Sequence, residues 1–149
     1  MGKRRKHIKK SAYFPNINKK NHTVESDQCG NHNCIAYAAG VTNKKWWPVI
    51  HPDAYWPPHV PYTESPDSFI RAFETIGYKQ CADGAYEKDK EKVAFFTLAG
   101  RVKHAALLLS DSTWASKLGD MEDIEHELNA VGGGEYGTPT VFMERAKSA

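Results

Sequence analysis

The sequence predicts a single α+β domain in which helices come before an antiparallel sheet. Two observations lead to this prediction. Two apolar segments with helix-start and helix-stop residues lie in the first half of the chain, and three adjacent strand-like segments with short turns lie between residues 93 and 118. A chain of 149 residues has the size of one ordinary domain and can bury a real core. We therefore expect one folded domain over residues 23–149.

The first 22 residues differ in charge from the rest of the chain. They contain eight Lys or Arg and no acidic residue, whereas the remainder has 12 basic against 18 acidic residues, a net charge of −6. We predict that residues 1–22 form a basic, disordered arm, because charge runs are usually solvated. Residues 3–20 could also contact nucleic acid, since neutralising phosphates releases counterions.

Several features bear on the compartment. No apolar run approaches the roughly 18 residues that a membrane helix requires. The basic residues 3–6 are not followed by the apolar core of a secretory signal. Three cysteines at unrelated spacings argue against a disulfide framework. We expect a cytoplasmic protein with reduced thiols and no membrane partner.

The segment around Cys34 predicts a helix that begins at a cysteine. An apolar run from Ile35 to Ala39 follows Cys34, and Gly40 closes it. The backbone N–H groups and the positive dipole end at a helix start favour a thiolate, so a lowered pKa and a nucleophilic thiol are expected for Cys34. Gln28, six residues upstream, could bring an amide donor to a developing oxyanion.

The segment from Trp46 to Tyr62 predicts a long irregular loop. It contains five prolines within 14 residues, which neither a helix nor a central strand tolerates. Long loops of this kind often form lids or substrate walls. A wall of a substrate groove and a cover over the core are equally consistent with the sequence.

The remaining elements follow from local patterns. Ser65 can cap a helix with Pro66 at its first position and Gly77 at its end, and apolar residues recur in it at helical spacing. The predicted strands are 78–82, 93–99, 102–110, 113–118 and 140–143. A last helix is predicted from Asp120 to about Val131, stopped by three glycines.

Two of these segments together resemble a known enzyme family. Asp27-Gln28 before Cys34, and His104-Ala105 at the head of an apolar strand, resemble the papain-like cysteine hydrolases. The pieces are also similar to the NlpC/P60-like bacterial branch and to an uncharacterised bacterial group. The resemblance implies a papain-like fold, in which an N-terminal helix carrying the cysteine packs on an antiparallel sheet. It also implies a Cys34 nucleophile, a His104 base and a Gln28 oxyanion donor.

The third catalytic member departs from the family pattern. Leu118 stands where the resemblance places an orienting asparagine. Ser116 would share a strand face with Leu118 and could offer a hydroxyl to His104 instead. Asp111, Asp120 and His126 remain alternatives, although His126 would lie opposite the apolar face of the predicted last helix, at the surface.

The resulting hypothesis is a cysteine hydrolase or acyltransferase acting on an amide or isopeptide bond. The substrate would be a peptide or protein, and peptidase, amidase and deamidase activities all remain open. A zinc site is a weaker alternative, because Cys29, His32 and Cys34 lie within six residues and Cys81 or His104 could complete the set. We predict no cofactor and no metal.

A second hypothesis is a non-catalytic binding module. In that case the fold is kept, the missing asparagine marks lost chemistry, and the basic arm contacts nucleic acid or another anionic partner.

Overall fold

A seven-stranded antiparallel sheet forms the body of the protein. We describe it from a computed structural model, which describes residues 7–26, 31–118 and 122–147. The strands are β1 (His22–Val24), β2 (Lys45–Trp46), β3 (Ala54–Tyr55), β4 (Lys79–Cys81), β5 (Lys90–Leu98), β6 (Arg101–Ser110), β7 (Thr113–Lys117), β8 (Asp123–His126) and β9 (Thr138–Ala146). The order in the large sheet is β1-β8-β7-β6-β5-β9-β4, and β2 and β3 form a separate parallel pair.

The predicted meander of three strands is confirmed in β5, β6 and β7. Ala99 and Gly100 join β5 to β6 with φ angles of 53° and 78°, as a two-residue hairpin turn requires. The predicted strands at 78–82 and 140–143 are confirmed as β4 and β9. The long β9 lies between β5 and β4, so the last described strand is internal to the sheet.

The predicted fold class is wrong. The sequence predicted an α+β, papain-like domain with an N-terminal helix carrying the cysteine packed on an antiparallel sheet, whereas the structure is mostly antiparallel sheet. Helix α1 (Cys34–Ala38) has only five residues, because Gly40 adopts a φ of 84° two residues after its end. Helix α2 (Pro66–Glu74), with nine residues, is the longer of the two α-helices in the described chain.

The predicted helix from Asp120 to about Val131 is also wrong. Its described part forms strand β8 and a short 3-10 helix, Leu128–Val131. Strand β8 pairs with β7 on one side and with β1 on the other. Burial alternates along β8, with Ile124 and His126 inside, and this two-residue period overrides the helical spacing of the apolar residues.

Each face of the large sheet carries its own apolar core. The segment 46–62, which we call the Trp-rich loop, covers one core together with α1 and α2. This helix-side core includes Cys34, Ile35, Trp46, Phe69, Phe73, Phe95 and Ala105. The N-terminal-side core lies on the other face and includes Ile8, Phe14, Ile17, Phe96, Ala106, Trp114 and Leu118. Successive strand residues contribute to opposite cores, as pleating requires.

The described part of the basic N-terminal stretch packs against the sheet. Ile8, Phe14 and Ile17 are buried, with 3%, 5% and 1% of their surfaces exposed. Each contributes apolar area that burial removes from water, which offsets the entropy of ordering the segment. The predicted arm therefore contains buried apolar side chains between its lysines, and residues 7–22 cover the N-terminal-side core.

The Trp-rich loop is fixed by its own aromatic side chains. Trp56 packs edge-on against Phe69 of α2 with ring centroids 5.0 Å apart, and Trp46 packs against Phe73 at 5.9 Å.

No described helix is long and apolar enough to cross a membrane.

Candidate functional site

Asn33 fixes the start of α1 and therefore the position of Cys34. Its Oδ1 accepts hydrogen bonds from the backbone N–H groups of Ala36 and Trp46, each at 3.0 Å. Its Nδ2 donates to the carbonyl oxygen of Trp46 at 2.8 Å. Asn33 thus caps the helix and ties it to strand β2 with the same side chain.

Cys34 is a free, buried cysteine in the helix-side core. Burial raises the pKa of its thiol to about 11. Backbone hydrogen bonding at Ala105 and Ile35 and the charge of Lys117 act in the opposite direction but are smaller effects. The lowered thiol pKa expected from the helix start is therefore not found, because desolvation outweighs the helix terminus.

His104 lies on β6 and is completely buried. Its Nε2 lies 2.9 Å from the Ser116 hydroxyl, and its ring stacks on that of Tyr136 with centroids 4.2 Å apart. Phe96, its partner across the sheet, packs edge-on at 5.3 Å. Burial, and then the nearby His126, hold the pKa of His104 well below its ordinary value of 6.5.

The hydrogen bond of His104 continues into a buried chain. The Ser116 hydroxyl lies 2.7 Å from Nε2 of His126, and Nδ1 of His126 lies 2.6 Å from the carbonyl oxygen of Glu127. Burial lowers the pKa of His126 to about 4. The predicted surface position of His126 is wrong, since only 3% of its surface is exposed.

These residues lie where the ladder between β6 and β7 ends. Among the described residues, the ladder between β6 and β7 ends at the pair Leu107 and Ala115. Beyond it, the segments His104–Ala105 of β6 and Ser116–Lys117 of β7 are joined by the His104–Ser116 side-chain bond. We call the stretch of β6 and β7 beyond the last ladder pair the β6–β7 gap. Helix α1 packs against both strands there.

Cys34 and His104 approach the β6–β7 gap from different cores. The thiol lies with Ala105 in the helix-side core, whereas the His104 ring packs against Phe96 of the N-terminal-side core. No hydrogen bond joins the sulfur to His104, and Nδ1 of His104 is buried without a partner among the described residues. Tyr136 stacks on His104, and burial and then the charge of Cys34 raise the pKa of its hydroxyl.

The structure thus brings Ser116 and His104 into contact and places Cys34 beside the residue that follows His104. Leu118 is buried in the N-terminal-side core, and Asp111 lies exposed at the β6–β7 turn. The predicted oxyanion donor Gln28 and the alternative orienter Asp120 lie outside the described residues.

A cleft borders the loop that precedes Cys34. It has a volume of about 520 Å³ and is lined by Asn31, Asn43, Lys44, Lys45, Pro52, Asp53, Ala54 and Tyr55. Lys44 lies over the Tyr55 ring, 4.9 Å from its centroid. Four of the lining residues, Pro52–Tyr55, belong to the Trp-rich loop, so this loop forms one wall of an open, polar cleft.

The alternative zinc site involves a residue that the structure does not describe, Cys29. Within residues 7–26, 31–118 and 122–147, no group of three or more His, Cys, Asp or Glu residues is arranged to hold a metal ion. Cys81 is on the edge strand β4, where its thiol donates to the carbonyl oxygen of Asp83 at 3.3 Å.

Two residues of the site region, His22 and Tyr136, have no role in the sequence-based prediction. His126 is predicted as an alternative orienter of His104, but at a helix surface and not inside the sheet. His22 pairs with His126 across β1 and β8. The segment Asp123–His126 has a single apolar residue, Ile124, so its own sequence carries no strand signal that would place His126 inside. Nothing in the local sequence of Tyr136 indicates its stacking on His104.

One family model matches most of the chain. It describes a domain of unknown function, DUF7689, and it matches residues 23–144. No curated protein and no solved structure matches the chain.

Proposed function

The chain belongs to the DUF7689 family, whose function is unknown, and we propose that it acts as a cysteine hydrolase or acyltransferase on amide bonds. Cys34 is the nucleophile and His104 is the general base. One observation carries the proposal: the β6–β7 gap borders both a free thiol and a histidine whose Nδ1 has no partner among the described residues. A buried polar nitrogen without a partner is costly in a purely structural role.

The resting pair is neutral. The raised thiol pKa of about 11 and the lowered pKa of His104 both favour uncharged groups at neutral pH. The thiol therefore loses its proton only as it attacks, and Nδ1 of His104 accepts that proton when substrate binding brings the two groups together. Because the thiol and the His104 ring lie in different cores in the described structure, this transfer requires a rearrangement of β6 and β7 that brings them together.

The full cycle then needs two steps. The sulfur adds to the amide carbonyl, His104 returns the proton to the departing amine, and a thioester forms. Water then attacks the thioester, giving its proton to His104, and the thiol regains a proton as the acid leaves. The backbone N–H of Cys34, with Gln28, would hold the oxyanion in both steps.

The substrate would be a peptide or protein with polar side chains next to the reacting bond. The cleft beside Asn31 is open and carries Lys44, Lys45 and Asp53, which suits hydrogen bonding and charge pairing along an extended chain. Peptidase, amidase and deamidase activities share this first step. A reducing compartment such as the cytoplasm would keep the thiol active.

The proposal is tested by acylation of Cys34 with a nitrophenyl ester at pH 7. Cys29→Ser/Cys81→Ser protein leaves Cys34 as its one thiol, and intact-mass spectrometry follows the thioester. We expect acylation of this protein and none after a further Cys34→Ser change. His104→Ala should slow acylation about 10²-fold or more, as loss of a general base does. Equal rates with and without His104 would refute the proposal.

A matched control uses the other described thiol. Protein with Cys29→Ser/Cys34→Ser retains Cys81, which is half-buried on β4 and whose thiol donates to the carbonyl oxygen of Asp83 and not to a histidine. Its slow acylation should not change with His104→Ala. Circular dichroism and thermal unfolding of each variant show whether slower acylation comes from loss of the His104 base or from unfolding of the protein.

A second candidate function is a non-catalytic binding module. Two observations favour it: Cys34 and His104 share no hydrogen bond in the described structure, and Lys9, Lys10, Lys19 and Lys20 are exposed on the N-terminal segment. Nucleic acid binding through these lysines should weaken steeply with salt. Changing all four to Gln should abolish it, and equal binding by the variant would argue against this role.

A further inference from the structure

We propose that His126 is a positioning residue that fixes the tautomer of His104 through Ser116. This inference rests on the proposed function, in which Nδ1 of His104 is the base. Three side-chain contacts link the groups in one line, from the Glu127 carbonyl through His126 and Ser116 to His104. The line lies in the interior, since Ser116 and His104 are fully buried and His126 is 3% exposed.

The direction of every hydrogen bond in this line follows from its first member. A backbone carbonyl oxygen only accepts, so Nδ1 of His126 must carry the proton that is donated to Glu127. Nε2 of a neutral His126 then has a lone pair and accepts from the Ser116 hydroxyl. The serine has one hydrogen, and that hydrogen is committed to His126.

The same constraint sets the state of His104. With its only hydrogen used, the Ser116 oxygen can only accept from Nε2 of His104, which must therefore carry the ring proton. A neutral imidazole has one N–H, so Nδ1 of His104 is left as an unprotonated acceptor. This is the atom without a partner among the described residues, and it is the form that a general base requires.

The ring has little freedom to respond in any other way. Tyr136 stacks on one face at 4.2 Å, and Phe96 packs edge-on at 5.3 Å. A change at His126 would therefore reach His104 through the proton on Ser116. Without an acceptor at position 126, the serine can donate to Nε2 of His104, and the ring proton then moves to Nδ1.

The experiment reads the tautomer directly by NMR of the full chain with ¹⁵N-labelled histidine at pH 7.5. We expect His104 with a protonated Nε2 and an unprotonated Nδ1. His126→Phe should switch this pattern, and His126→Gln, which can keep an acceptor for Ser116, should preserve it. A protonated Nδ1 in the unmodified protein, or an unchanged tautomer in folded His126→Phe, would overturn the inference.

His22 supplies the matched control. It is buried on the neighbouring strand β1, but its Nε2 accepts from the Ile8 N–H at 2.9 Å and its Nδ1 donates to the Asn18 carbonyl at 2.6 Å. His22→Gln should lower stability without changing the His104 tautomer. A tautomer change in this variant would show that disturbance of the fold, and not the proton on Ser116, produces the effect.

Ester acylation of Cys34 separates this inference from the proposed function. With His126→Phe, the acylation rate at saturating ester should fall about 10²-fold with little change in half-saturation, and His126→Gln should restore most of it. If His104 has the expected tautomer but Cys34 is not acylated, the hydrolase proposal is wrong and the positioning role of His126 is retained. Acylation with a His104 tautomer that does not depend on His126 would remove only the positioning role.

Discussion

Tyr136 and His104 stack face to face, with ring centroids 4.2 Å and ring planes 7° apart. Tyr136 also packs edge-on against Phe14 at 5.4 Å, so it links the site to the N-terminal segment. Tyr136→Ala should cost about 2–3 kcal/mol of unfolding free energy, because a largely apolar contact is lost. Tyr136→Phe should cost less than about 0.5 kcal/mol, since the stack does not need the hydroxyl. Urea unfolding measures both changes.

The exposed Tyr62 provides the control for this change. It has 53% of its surface accessible, so Tyr62→Ala should stay within about 0.5 kcal/mol of the unmodified protein. A Tyr136→Ala loss no greater than that of Tyr62→Ala would show that the stack contributes nothing to stability.

Gly137 should tolerate no side chain. Its φ is 74°, and a Cβ placed there would clash with the carbonyl oxygen of Thr97 on β5. Gly137→Ala should therefore lower the unfolding free energy by about 3 kcal/mol or more and displace the adjacent Tyr136. Unfolding in urea and the histidine NMR spectrum of His104 report the two effects.

Gly40 is a closely matched reference for that substitution. Its φ of 84° is similar, but a Cβ there has no atom within 4 Å. Gly40→Ala should cost only the backbone strain, about 1–2 kcal/mol. Equal losses at the two glycines would mean that the Thr97 contact is relieved at no cost.

Asn33 should contribute more to stability than an ordinary helix cap. Asn33→Ala removes the cap of α1 and both hydrogen bonds to Trp46, so a loss of about 2–3 kcal/mol is expected. Asn33→Asp keeps the acceptor but loses the Nδ2 donor, so its stability should lie between those of the unmodified protein and Asn33→Ala. Thermal unfolding measures the series.

The exposed Asn43 is the control for Asn33. It lines the cleft and has no side-chain hydrogen bond in the described contacts, so Asn43→Ala should be nearly neutral. An equally neutral Asn33→Ala would rule out the proposed role of this side chain in fixing the helix start.

The buried histidines should make the protein sensitive to acid. The pKa of His126 is lowered from 6.5 to about 4, so between these values the unfolded chain binds a proton that the folded chain does not. Stability therefore rises with pH in this window and is lost as pH falls from 6.5 towards 4. One such group accounts for on the order of 3 kcal/mol across the window. His104 and His22, whose pKa values are also lowered, act with the same sign.

Urea unfolding between pH 4 and 7.5 tests this sign. His126→Gln should reduce the slope by up to about 1.4 kcal/mol per pH unit, the contribution of one proton. A slope that is unchanged in folded His126→Gln would show that His126 does not titrate differently in the two states.

The sequence predicted the central hairpin well because its signals are local. Ala99-Gly100 and the short apolar runs on either side, 93–96 and 105–109, specify β5 and β6 without help from distant residues. The contact of Ser116 with His104 was also accessible, since it depends on neighbouring strands. Their roles in catalysis stay predictions.

The failed predictions involve distant partners. The apolar residues Ile124, Leu128 and Val131 have helical spacing, but Asp123–His126 becomes a strand because β1 and β7 pair with both its edges. The pKa of Cys34 was expected to fall, but its direction depends on how deeply the whole fold buries the thiol. The aromatic Phe14 indicates a contact with the body of the protein, but the packing of Ile8 and Ile17 was hidden by the basic residues around them.

The position of β9 between β5 and β4 has a consequence for synthesis. This interior strand leaves the ribosome after every other described strand, so β4 has no neighbour in the sheet until then. Strand β1 likewise waits for β8, and the Ser26 hydroxyl that accepts from the Asp123 N–H lies 97 residues before its partner. Closing such long loops is slow. We expect nascent chains that end before residue 138 to stay unfolded, with Ile8, Phe14 and Ile17 accessible to chaperones until β9 has been synthesised.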